Sequence, residues 1–172
     1  MPTSVVGEDV IAELVRVAGG CPHGAIVEVG VYKGGTAWHL NELCNKQDRE
    51  LYLYDTFCGI PFKDEIDPMT VGSFSDTSRE AVEEAIPGAK VIAGVFPASA
   101  VPMPMIGFAH IDCDQYRSVK DAIDYLLPRM LRDGVMWFDD YGYLAGATKA
   151  VQERFGIDKI LIARCNKGYV RT

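Results

Sequence analysis

The 172-residue chain is poor in the features that mark extracellular, membrane or nucleic-acid-binding proteins. Its five cysteines (Cys21, Cys44, Cys58, Cys113 and Cys165) are odd in number, scattered and never spaced Cys-x-x-Cys. That argues against a disulfide framework or a structural zinc site and for reduced thiols. The net charge of -7 leaves no surplus of Lys and Arg for phosphate contacts, so no nucleic-acid partner is expected. No apolar run approaches the roughly 20 residues of a membrane span, and no basic-then-apolar leader opens the chain. The expectation is a soluble, cytoplasmic protein with no membrane partner. Internal repeats, low-complexity tracts and linkers are also missing, and with them any reason to divide residues 1–172 into more than one domain.

What is present is ordinary for a packed globular chain: 48% hydrophobic and 24% charged residues, at a length that buries a sizeable core without staples. The stretch from Ala25 to Trp38 organises the rest. Ile26, Val27 and Val29 read as a buried parallel strand. Glu28 interrupts it, and a charge in a core strand needs a partner or a ligand. Gly30, Gly34 and Gly35 follow, then a helix-compatible segment from Thr36 to Leu43. Strand, glycine turn and helix make half of a βαβ unit, with free N–H groups aimed into the crevice above the sheet.

The glycine spacing bears on the ligand. A dinucleotide fingerprint would read Gly-x-Gly-x-x-Gly, which this chain lacks. Here Gly30-x-x-x-Gly34-Gly35 stands two residues after an acid, the usual pattern of S-adenosylmethionine (SAM) sites, where the acid can anchor the ammonium of the methionine part. A tight turn after a strand asks for glycine too.

Apolar positions at helical spacing predict a short N-terminal helix at about residues 7–18, stopped by Gly19-Gly20. Strands are expected at Glu50–Tyr54, Lys90–Ala93, Ile106–Ile111 and Val135–Phe138. Helices are expected at Gly35–Asn45, at Thr77–Ile86 capped by Asp76, after Ser118 as cap with a break at Pro128, and at Ala145–Phe155. A loop from Thr56 to Ser75 is long enough to be functional. Lys159–Ala163 and Gly168–Thr172 form a closing antiparallel pair joined around Asn166-Lys167. The sum is a doubly wound α/β fold, a mostly parallel seven-stranded sheet with a C-terminal antiparallel strand pair, whose ligand crevice lies outside the strand carboxyl ends.

Four acids stand at those ends. Asp55 closes the second strand 25 residues after Gly30, where ribose-binding acids stand in nucleoside-binding folds. Asp112 closes the fourth strand, and Asp139 and Asp140 the fifth. Asp is common at strand ends, but three carboxylates on two neighbouring strands make a hard-oxygen set suited to Mg²⁺ or a similar ion.

Several segments then carry a family likeness: Gly34-Gly35-Thr36, Tyr54-Asp55-Thr56-Phe57-Cys58-Gly59-Ile60-Pro61, His110-Ile111-Asp112-Cys113-Asp114-Gln115-Tyr116-Arg117-Ser118, Leu127-Pro128-Arg129, Phe138-Asp139-Asp140-Tyr141-Gly142 and Gly146-Ala147-Thr148-Lys149-Ala150-Val151. In order and spacing, from about Ala25 to Phe155, the chain resembles the macrocin O-methyltransferase (TylF-like) family of class I, Rossmann-like, SAM-dependent enzymes. The resemblance implies methyl transfer to a hydroxyl, typically on a sugar of a glycosylated natural product, with Mg²⁺ in the site. It implies that Glu28, Gly30 and Thr36 line the methionine end and that Asp55 holds the ribose. Gly34, Gly35, Thr56, Gly94 and Asp112 complete the expected cofactor set. Asp112, Asp139 and Asp140 would hold the metal, with Asp112 also the general base.

Family members carry a longer N-terminal region over the acceptor than the two dozen residues found here. A homodimer whose partner completes the site, through Val10, Ile11 and Leu14, is one consequence. A shortened, non-catalytic SAM-fold protein that acts with a partner is the alternative function, and a nucleotide-dependent oxidoreductase is opposed by the glycine spacing. His110 is an alternative base or a core residue; Trp38, Trp137 and Phe138 are expected in the core. Tyr141 and Tyr143 could wall an acceptor pocket, and Phe57, Phe62 or Phe74 could close over a ligand.

Overall fold

The computed structural model describes residues 2 and 4–172. In chain order the elements are α1 (Glu8–Gly19), β1 (Ala25–Val29), α2 (Gly35–Gln47), β2 (Leu51–Asp55), α3 (Arg79–Ala85) and β3 (Lys90–Ala93). Then come β4 (Ile106–Ile111), α4 (Tyr116–Leu126), β5 (Met130–Phe138), α5 (Ala145–Phe155), β6 (Leu161–Ile162) and β7 (Gly168–Arg171). They build one seven-stranded sheet in the order β3-β2-β1-β4-β5-β7-β6. β1 to β5 run parallel; β7 pairs antiparallel with β5 and with β6.

Period-two alternation sends successive side chains to opposite faces. Val27, Ala109, Ile111, Met136 and Phe138 pack under α4 and α5, against Val119, Ile123, Ala150 and Val151. Ile26, Phe108, Val135 and Trp137 pack on the other face, against Leu14 of α1, Leu40 of α2 and Val82 of α3. Both central strands, β1 and β4, are buried from end to end, as parallel strands covered on two faces should be. The chain winds outward from β1 to β3 and returns beside β1 as β4. The strand order therefore reverses between β1 and β4, which is where ligands enter such sheets.

Four local expectations are corrected. Ser78, not Asp76, caps α3, its Oγ accepting from the Ala81 N–H at 3.2 Å; Asp76 instead pairs with Lys33 and accepts from the Tyr32 hydroxyl. α4 starts at Tyr116, before Ser118, because its first N–H is taken at 3.0 Å by Asp67 of the long loop. β5 begins at Met130: Asp133 adopts φ +65° inside the strand, as an irregularity rather than a preceding turn. Finally, of the residues expected to face a second subunit, Ile11 and Leu14 are buried within their own chain, 6% and 0% exposed, and Val10 alone is partly exposed. The break at Pro128 is present as a short 3-10 turn over Leu127–Arg129. No helix among the described residues is long and apolar enough to cross a membrane.

Candidate active site

At the switch point the turns after β1 and β4 touch. Gly30 has φ +91°, and a Cβ there would lie 1.7 Å from the Asp112 carbonyl oxygen. Only glycine lets the two strand ends close up, which gives this glycine a structural reason besides any ligand. The Asp112 N–H donates to the Val29 carbonyl at 2.8 Å and the Gly30 N–H to that of Tyr54 at 2.9 Å, so three strand ends are stitched together.

Beside this seam lies an open cleft of about 830 Å³, solvent in its mouth included. Gly30, Asp55, Thr56, Gly94 and Asp112 line it. Phe74 and Tyr32, edge to face at 5.6 Å, and Phe96 supply aromatic wall. Asp55 does more than face the cleft. Its Oδ2 accepts from the N–H groups of Val31 and Tyr32 at 2.7 and 2.8 Å, and its Oδ1 from that of Phe57 at 2.8 Å. It holds the turns after β1 and β2 in one position. The Thr56 hydroxyl donates to the Gly59 carbonyl at 2.7 Å and accepts from the Cys58 N–H, closing the first turn of the loop.

Four of the expected cofactor residues are not walls of the cleft. Gly34 is the left-handed residue before α2, φ +83°. Gly35 is covered by Ser4, whose Cα would lie 2.4 Å from a Cβ at that position. Thr36 is buried in the first turn of α2. Glu28 is 1% exposed and accepts from His110 Nδ1 at 2.8 Å. The parallel register sets Glu28 directly opposite His110, so the charge that needed a partner has one in the next strand.

Beyond His110 the acids converge. Carboxylate oxygens of Asp112, Asp139 and Asp140 all lie within 4.8 Å of one another, where like charges repel by about 3 kcal/mol per pair at an effective dielectric near 20. Burial, reinforced by the Asp139 charge, holds the Asp112 carboxyl well above the usual range. The same two causes push Asp140 up to about 6, and burial together with Asp140 pushes neighbouring Asp114 up to about 7. Asp139 goes the other way. Burial would raise it, but His110 on one side and Lys167 on the other outweigh burial and hold it below its ordinary value. His110 Nε2 stands 3.9 Å from Asp139 Oδ1, too far for a hydrogen bond, so only charge acts there. His110 itself is lifted to about 10: burial opposes, and the carboxylates of Asp139 and Glu28 prevail.

The residues suit a divalent cation on a second ground besides their number. Asp139 is only 7% exposed, and its Oδ1 has no hydrogen-bond partner among the described residues, His110 Nε2 acting on it only from 3.9 Å. A buried carboxylate oxygen without a hydrogen bond has room for a further ligand. An all-oxygen set favours Mg²⁺, Mn²⁺ or Ca²⁺.

Lys167 was read only as part of a hairpin turn. Its ammonium donates to the Asp139 carboxylate at 2.8 Å and to the Asp139 carbonyl at 2.7 Å. The signal that finds it is the β5–β7 register: Phe138 pairs with Gly168, so the next residue outward on β5 and the preceding one on β7 are neighbours. The link between Glu28 and His110 had a plainer signal, since each interrupts the apolar run of a central strand. Trp137 and Phe138 are in the core, and Trp38 is half-buried. Tyr141 packs on Gly168, and Tyr143 is 63% exposed beneath Lys167.

Among solved structures, the O-methyltransferase NovP superposes with a TM-score of 0.80 at 22% identity, over 95% of this chain and 78% of that one. CalS11, a calicheamicin methyltransferase, gives 0.77 at 19% over 94% and 77%. The apo form of CalS11, a TDP-rhamnose 3′-O-methyltransferase in calicheamicin biosynthesis, gives 0.67 at 19% over the same shares. Likeness at these identities establishes the class I methyltransferase fold. A comparison with curated protein sequences finds no significant match. The family model for macrocin-O-methyltransferase (TylF) matches residues 8–162, nearly the whole chain, and the protein therefore belongs to that family of O-methyltransferases.

Proposed function

We propose that the protein transfers a methyl group from SAM to a hydroxyl of a sugar or a sugar-bearing small molecule, with a divalent cation held by Asp112, Asp139 and Asp140. The observation that carries this reading is the meeting of the cleft and the acid cluster at Asp112, which belongs to both. NovP and CalS11 support the reaction type, and the TDP-rhamnose activity of CalS11 supports the sugar.

When bound, SAM supplies a methyl carried on a sulfonium, and a divalent ion supplies positive charge that lowers the pKa of a hydroxyl and fixes its position. The chain's own residues do the rest. Asp55, already holding the turns after β1 and β2, faces the cleft, where a ribose hydroxyl can donate to its one remaining lone pair. Asp112 stands at the seam; burial and the Asp139 charge hold its carboxyl high, so it would take the proton that leaves the acceptor hydroxyl once the cluster is neutralised by a cation and the carboxyl can ionise. Asp139 is kept ionised by His110 and Lys167 against the effect of burial, so it need lose no proton before it meets a cation. Phe74 and Tyr32 form an aromatic wall on one side of the cleft.

The test is methyl transfer from SAM to a panel of nucleotide-linked sugars and glycosides, read as a single methyl gain by mass spectrometry. Transfer is expected with Mg²⁺, lost on chelation, and reduced about 100-fold or more by Asp112→Asn. Transfer at an undiminished rate in chelator and in Asp112→Asn would remove both the metal and the base.

A further inference from the structure

Lys167 touches no reacting group in the reaction as proposed, where it only helps keep Asp139 ionised, yet it is built into the acid cluster. It lies in the connection from β6 to β7, which is closed by the Lys167 carbonyl accepting from the Ala163 N–H at 2.8 Å. Its ammonium has two oxygens of Asp139 as acceptors, and the Tyr143 ring centre is 4.5 Å away. Its side chain is 13% exposed. A surface lysine making one chance ion pair has none of these constraints and contributes little. Three contacts on one ammonium describe a cation held in place.

Asp139 is thereby divided. Its Oδ2 and its carbonyl are committed to Lys167, while its Oδ1 is buried without a hydrogen bond, 3.9 Å from His110 Nε2. A divalent ion shared by Asp112, Asp139 and Asp140 therefore either meets the ammonium's positive charge at close range or displaces it. Lysine suits displacement, being a compact point charge on a flexible stem of four carbons.

We propose that the Lys167 ammonium is a tethered counter-ion of the Asp112–Asp139–Asp140 cluster, which stands in for a divalent cation when none is held and competes with one for Asp139. The idea rests on the cluster being a cation site. Lys167 then sets how tightly that site binds metal: it keeps the metal-free cluster folded and makes the bound ion exchangeable.

The test uses chelator-treated full-length protein and Mn²⁺ alone, titrated calorimetrically into the wild type and into Lys167→Met and Lys167→Gln. Removal of a neighbouring positive charge should tighten Mn²⁺ binding about tenfold or more in both variants. Their metal-free melting temperatures should fall below wild type, and the gap should close at saturating Mn²⁺. Lys167→Arg keeps the charge and should bind Mn²⁺ no more tightly than wild type. The glutamine variant retains a donor and most of the stem, so it serves if the methionine variant does not fold. Binding in the variants without any in wild type supports competition in its extreme form. Equal or weaker binding in Lys167→Met and Lys167→Gln than in a metal-binding wild type overturns the role of Lys167 alone. Absence of Mn²⁺ binding in every form overturns it together with the cation site.

Discussion

Asp55 accepts from three backbone N–H groups, belonging to Val31, Tyr32 and Phe57, and those bonds change what a substitution there does. A carboxylate that serves only a ribose could be removed without harm to the fold. With Asp55→Ala, three donors lose their partner, at a cost of about 1–3 kcal/mol for each one left buried. Asp55→Ala is therefore expected to lower the denaturation midpoint as well as weaken SAM binding roughly tenfold or more. Asp55→Asn keeps an acceptor for one turn and should lose less stability but most of the affinity. Denaturant melts alongside calorimetric SAM titration separate the two effects, and a melt unchanged in Asp55→Ala would contradict the stitching role. Strand periodicity alone places Asp55 at a strand end. Two of its three bonds were not legible, since they join residues 23 and 24 apart in the chain, from the turn after β1 to the end of β2. Gly30 repeats the lesson: its place after β1 is plain, while the carbonyl of Asp112 that forbids a Cβ comes from a strand more than 75 residues later.

The loop from residue 56 to 78 is the longest irregular element and is pinned at its neck and its middle. At the neck, the Ile60 N–H donates to the Ser73 carbonyl at 2.9 Å and the Gly72 N–H to that of Ile60 at 3.0 Å. In the middle, Asp67 is 2% exposed and caps α4 through the Tyr116 N–H, with its second oxygen buried against Gly146 of α5. Phe62 lies beneath the Arg117 guanidinium, 4.1 Å away, and its carbonyl accepts from the Gln115 side chain. The helix that follows β4 and Asp112 is thus capped by the loop that covers the cleft. Asp67→Ala should cost the cap, about 1 kcal/mol, and should free the loop before it frees the sheet. Hydrogen exchange is the readout: residues 60–74 should exchange about tenfold faster or more while β1 and β4 keep their protection. Unchanged protection of 60–74 would mean that the loop is held elsewhere. Local capping rules look a few residues ahead, so they pointed to Asp76 and Ser118. The accepting caps that prevailed were Ser78 nearby and Asp67 from 49 residues away.

At the scale of the whole molecule, hydrophobic periodicity suffices for the alternating elements, the switch point and the C-terminal antiparallel pair, because each depends on runs of local pattern. It places Asp55, Asp112, Asp139 and Asp140 at strand ends on the same grounds. The counter-charges were hidden, because they depend on register across strands: β1 against β4 sets His110 opposite Glu28, and β5 against β7 sets Lys167 beside Asp139. The apolar residues of α1 misled for a similar reason, since periodicity shows that a face is buried but not what buries it. Within a chain of net charge -7, Asp112, Asp139 and Asp140 converge beside a cleft that Asp112 lines, and the chemistry proposed here depends on what neutralises them. The most direct test is a crystal grown with Mn²⁺ and S-adenosylhomocysteine, with the anomalous difference map calculated from data near the manganese edge. The expected result is a peak among the carboxylates of Asp112, Asp139 and Asp140, with the nucleoside in the cleft and its ribose against Asp55. A cluster without a peak at saturating Mn²⁺, or a nucleoside bound anywhere else, would contradict the assignment of this crevice as the methyl-transfer site.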